Sequence, residues 1–268
     1  MTHSLVTPSP ELLPWLEFAI RLIVTAALVV SATLAAERAG PLVGALIATL
    51  PISAGPAYVF VALEHDPSFI AEAALVSLAA NAATLCFCLA YVVMAQKRGL
   101  AFSYLAAFAA WLVAAYLIHL FDWSIPAAIA LNAIACAIAL PIAQRFATDS
   151  MPRTRRRWYD VPFRTAIVAG FVSIVVAVSA HVGPAITGML AIYPIVLSSL
   201  IVILQPRVGG VPTASLIAHG MFGTVGFATS MLVLHLMAPA FGSALGLSAA
   251  LAICIGWNLL LLLLRRAR

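Results

Sequence analysis

Gly183-Pro184-Ala185-Ile186-Thr187-Gly188-Met189-Leu190-Ala191-Ile192-Tyr193-Pro194 is an apolar segment that opens on Gly-Pro and meets a second proline ten residues later. A helix rises about 1.5 Å per residue, so that proline lies about 15 Å in, half of a bilayer core. The pattern occurs earlier as Gly40-Pro41-Leu42-Val43-Gly44-Ala45-Leu46-Ile47-Ala48-Thr49-Leu50-Pro51. The two copies lie 143 residues apart and point to an internal duplication.

The rest of the chain fits a membrane reading. Of its 268 residues, 64% are apolar and 9% charged, too few charges to cover a soluble domain of this size. The net charge of +5 is not a nucleic-acid signal, because the basic residues fall between apolar spans rather than on one patch. Cys86, Cys88, Cys136 and Cys254 lie inside apolar runs without metal or disulfide spacing and read as small apolar residues. Arg21 followed by Leu22 to Val30 resembles a signal peptide. The counterpart of this helix in the second half, where no signal could sit, argues against cleavage.

Apolar runs predict an all-α polytopic protein of about nine spans, at about 14–36, 40–63, 69–95, 100–120, 124–146, 160–181, 184–204, 211–235 and 239–264. With the N-terminus outside, the segments between spans separate by charge. Arg38, Lys97, Arg98, Arg145, Arg153, Arg155, Arg156, Arg157, Arg164, Arg207, Arg265, Arg266 and Arg268 fall inside. Glu11, Glu64, His65, Asp66, Asp122, His181 and His235 fall outside. Arg21 is the one basic exception. This is the positive-inside pattern, and it puts the C-terminus in the cytoplasm.

The duplication extends beyond the Gly-Pro segments. Trp15, Glu17 and Arg21 match Trp158, Asp160 and Arg164, and Ser77-Leu78-Ala79-Ala80-Asn81 matches Ser215-Leu216-Ile217-Ala218-His219. The expected organisation is repeat 1 over 12–122, a linker helix over 123–147, a basic cytoplasmic loop over 148–157 and repeat 2 over 158–268. Five spans precede the second repeat, so the two four-helix repeats are inverted, an arrangement common in secondary transporters.

Four features carry candidate chemistry, each with a plainer alternative. Pro51 and Pro194 break helices at mid-membrane, which frees carbonyls for a site or simply kinks a packed helix. Ser77 with Asn81, and Ser215 with His219, are each four residues apart and share a helix face. They line a substrate site, with His219 able to carry a proton, or they join helices by hydrogen bonds. Glu72, about one turn into its span, serves proton coupling or reaches back to the interface. Glu17 with Arg21, and Asp160 with Arg164, are spaced for helical ion pairs that anchor helix starts; alternatively Arg21 meets an anionic substrate. The Arg153–Arg157 run sets topology and touches anionic lipid.

No H-E-x-x-H, G-x-S-x-G, P-loop or Rossmann pattern occurs, so neither an enzyme nor a cofactor or metal centre is expected. The Gly40–Pro51 and Gly183–Pro194 segments, each followed by its S-L-x-A-N/H element, resemble the central part of GlpM-type small bacterial inner-membrane proteins. That resemblance implies a fused, inverted pair of such units, a small integral membrane protein, and no assigned catalytic residues. The expectation is a secondary transporter or permease of the bacterial inner membrane. Its small-molecule or ion substrate would bind near mid-membrane. The alternative is a non-transporting scaffolding or regulatory protein of the cell envelope. Either could form a homodimer through glycine faces.

Overall fold

The computed structural model describes residues 19–20, 22–27, 30–31, 53–148 and 157–266. The first Gly-Pro segment, Arg21 and Pro51 lie outside the described residues. Among those described, the secondary structure is helical without strands. The chain runs through α1 (Ala54–Glu64), α2 (Pro67–Met94), α3 (Leu100–His119), α4 (Ile125–Gln144), α5 (Asp160–Ala191), α6 (Ile195–Val208), α7 (Gly210–Gly220), α8 (Gly223–Phe241) and α9 (Ser243–Arg266). Among the described residues, six helices, counting α7 and α8 as one run, are long and apolar enough to cross a membrane. The chain is therefore a multi-pass, all-α membrane protein.

The helix α2 is the centre of the bundle. In its most apolar stretch 72% is buried, against 17–39% for the other five. Its composition explains this position. Ala71, Ala73, Ala74, Ala79, Ala80, Ala82 and Ala83 are all buried, and such small side chains let neighbouring backbones approach closely. Large apolar side chains on α3, α4 and α9, among them Leu105, Val113, Ile134, Ile138, Leu251 and Leu264, point outward, as lipid-facing surfaces require.

The start of α2 is well capped. Pro67 occupies the first turn, and Asp66 Oδ1 accepts from the Phe69 N–H at 2.8 Å and the Ser68 hydroxyl at 2.7 Å. The Ser68 hydroxyl and the Phe69 N–H hold the Asp66 carboxyl below the usual carboxylate range. Such a depressed group contributes fully above its unfolded pKa of about 3.9, and the contribution is lost as pH falls through the lower folded value. Asp66→Ala should therefore lower the unfolding temperature at pH 7, and parent and variant should converge once pH is below both values. A pH series of thermal unfolding in detergent checks this; a gap that persists at acid pH would show that the carboxylate is not the cause.

At Gly183 the backbone takes φ 74° and ψ 176°, a conformation open to glycine and strained for other residues. It divides α5 into arms of 160–182 and 184–191. The chain reverses there, because Arg207, in the last turn of α6, forms a bidentate ion pair with Asp160 at the start of α5. The Asp160 carboxylate thus has a long-range partner that helical spacing does not reveal: the guanidinium that the hairpin delivers.

Against α2, the run α7–α8 lies antiparallel. A Cβ on Gly210 would overlap the Ala95 carbonyl, Thr224 meets Asn81, and His235 Nδ1 lies 2.7 Å from the Ala71 carbonyl. The two residue numbers of each pair sum to 305 or 306, so the register is constant along the crossing. Helix ends gather in two layers. One holds Lys97, Arg98, Arg145, Arg157 and Arg207; the other holds Glu64, His65, Asp66, Asp122, His181 and His235. His65 Nε2, 3.0 Å from Ser179 Oγ, ties the second layer together.

Candidate functional site

One face of α2 carries Ser77, Thr84 and Tyr91 at seven-residue spacing, two turns apart, so all three point nearly the same way. They face the second arm of α5 and α6. Ser77 Oγ donates to the Gly188 carbonyl at 2.5 Å and so accepts from the Tyr58 hydroxyl at 2.7 Å. Thr84 Oγ1 donates to the Ile192 carbonyl at 3.2 Å, and the Tyr91 hydroxyl donates to Gln205 Oε1 at 2.9 Å. Two of these acceptors are backbone carbonyls beside the Pro194 break. Between α5 and α6 the chain is non-helical at Pro194, with ψ 57°. A proline there removes a helical hydrogen bond, and donors from α2 satisfy carbonyls beside the gap.

The break also positions Tyr193. Its ring sits among Phe87, Phe108, Trp111 and Phe171, with centroids 4.9–6.5 Å away. Its hydroxyl lies 2.9 Å from the Tyr104 hydroxyl and accepts from Ser198 Oγ at 3.3 Å.

A second face of α2 carries Asn81. Its amide nitrogen donates to Asn132 Oδ1 on α4 at 2.8 Å and to the Thr224 carbonyl on α8 at 3.2 Å. Asn132 donates in turn to the carbonyls of Leu78 and Ala128. Sequence reasoning did not single out Asn132; a lone carboxamide inside the apolar run 125–144 was the available signal. Nor did it find the junction between α7 and α8 at Met221 and Phe222. Three surrounding helices supply donors to carbonyls there: Gln144 to Ala218, Trp257 to Phe222 and Asn81 to Thr224.

Ser77, Asn81 and the Pro194 break thus belong to one buried layer, in which Ser77 is 0% and Asn81 1% exposed. Ser215 and His219 lie elsewhere. Ser215 Oγ donates to the Thr148 carbonyl at 2.9 Å and accepts from the Thr148 N–H at 2.8 Å, just past the end of α4. The antiparallel register sets Ser215 level with Ala90, nine residues and about 13 Å from Asn81 along α2. His219 Nδ1 lies 2.8 Å from its own helix's Ser215 carbonyl, and the ring is half-buried. Glu72 is exposed on the outside of α2. At the basic end, Tyr159 is flanked by Arg157 and Arg207, at 5.9 and 5.5 Å from its ring, and the hydrogen bond from Arg157 pulls its phenol below the usual value.

The layer consists of hydroxyl, carboxamide and carbonyl groups bonded to one another, and these side chains hold no formal charge. No protein-family model, curated protein or solved structure matches this chain.

Proposed function

We propose that this protein is a small secondary transporter or permease of the bacterial inner membrane. Its nine spans form two inverted four-span repeats joined by α4, with the basic end of the bundle in the cytoplasm and the N-terminus outside. The observation that carries the reading is the meeting of a broken helix with a polar face of the central helix, where Ser77 and Thr84 reach the Gly188 and Ile192 carbonyls. Irregular backbone at membrane depth is the usual ground of a transporter's binding site. The packing agrees with inverted repeats. The pair α2–α3 turns at the basic end and α8–α9 at the opposite end, and α1 against α9 echoes α6 against α3. The GlpM-type likeness belongs to the same proposal, as does proton coupling through His219 and Glu72.

The burial of this layer favours a second reading. Ser77, Asn81, Thr84 and Asn132 are all buried and hydrogen-bonded, as in a stripe that only joins helices of an envelope scaffold. Thiol accessibility separates the two. In a chain whose four cysteines are replaced, Asn81→Cys should react with a membrane-impermeant maleimide from at least one side, because a permease admits water to its site in some state. A folded protein that labels from neither side belongs to the scaffold reading.

A further inference from the structure

The polar face of α2 continues past mid-membrane towards the basic end. Two contacts close it there. The inner is Tyr91 with Gln205, both buried, and Gln205 Nε2 also reaches the Arg98 carbonyl at 3.4 Å. The outer is the Asp160–Arg207 ion pair, whose side chains are 15% and 16% exposed. Gln205 and Arg207 both sit near the end of α6, so one short helix carries both contacts. This helix has 14 residues and a non-helical joint at each end: Pro194 with ψ 57°, and Gly209 with φ 87°. A short rod between two such joints can swing without unwinding.

We propose that α6 is the cytoplasmic gate of the pathway, held shut by Tyr91–Gln205 and Asp160–Arg207. The inference rests on the permease reading and on the basic end being cytoplasmic. The chemistry suits a gate. The Asp160–Arg207 pair is partly exposed and the buried Tyr91–Gln205 pair lies within one turn of two helix ends, so water that follows a swing of α6 can replace each lost partner, whereas parting the Asn81–Asn132 pair would strand amides in the bundle centre. Swinging α6 away would open the seam that Thr84 lines while leaving α2 in place.

The test uses the full chain with Cys86, Cys88, Cys136 and Cys254 replaced and Thr84→Cys added. Inside-out vesicles are labelled with an impermeant maleimide. Gln205→Ala combined with Asp160→Asn should raise the labelling rate about tenfold, the weight of roughly one net hydrogen bond. Asp160→Arg alone should also raise it, and adding Arg207→Asp should return it to the parental rate. If Thr84→Cys labels in the parent and none of these changes alters the rate, the gate is wrong and the permease reading stands. If neither Thr84→Cys nor Asn81→Cys labels from either face in any folded variant, both fall together. Should the double variant not fold, the charge swap decides alone: a parental rate in the swap with a faster rate in Asp160→Arg supports the gate, and equal rates overturn it.

Discussion

Gly188→Val should cost about 3 kcal/mol or more of stability, among the largest effects of any single substitution in the described bundle. A Cβ on Gly188 would overlap the carbonyl oxygen and carbon of Ala73. These are backbone atoms and cannot rotate away, so the second arm of α5 must part from α2. Ser77 then loses the Gly188 carbonyl, and the Tyr58–Ser77 contact is disturbed with it. Gly170→Ala is the control. It lies in the first arm of α5 with nothing within 4 Å of the added methyl, and should be neutral or gain up to about 1 kcal/mol from helix propensity. Unfolding in detergent, by heat or denaturant, reads both. A Gly188→Val protein as stable as the parent would mean that the two helices do not cross this closely.

Asn81→Ala should cost about 2 kcal/mol, because the Asn132 oxygen and the Thr224 carbonyl both lose their donor in a buried setting. Asn132→Ala should cost a similar amount, since it withdraws the donor from the Leu78 carbonyl and the acceptor from Asn81. The double variant should be less damaged than the sum, with a coupling of about 1 kcal/mol, within the range for polar pairs between membrane helices. Strict additivity would show that α2 and α4 are joined by packing and not by this pair.

Several features of the fold were legible in sequence because glycine and proline act locally. The Gly183-Pro184 start and the Pro194 break both occur where expected, since a positive φ and a missing N–H leave few alternatives. The polar partners were not legible. These helices are apolar on every side, so periodicity does not say which face is inward. Asn132 is 51 residues from Asn81, and Gln205 is 114 from Tyr91. The depth of His219 shows a subtler limit. Likeness of sequence pairs Asn81 with His219, whereas the antiparallel register brings Thr224, five residues beyond His219, to Asn81. Asp160 shows another: helical spacing offers Arg164, and it gives no sign that the hairpin also brings Arg207 with two-point geometry.

The polar face of α2 sets a timing problem for the cell. Ser77, Asn81, Thr84 and Tyr91 enter the membrane early, yet the groups they bond on α4, α5, α6 and α8 follow 51 to 143 residues later in the chain. At about 5–20 residues per second of synthesis, the last partner arrives roughly 7–30 s after the first donor. For that interval α2 is an apolar span whose hydroxyls and carboxamide lack part of their final set of partners. A chain that ends after α3 would therefore hold this central helix without the groups that Asn81, Thr84 and Tyr91 bond in the complete fold.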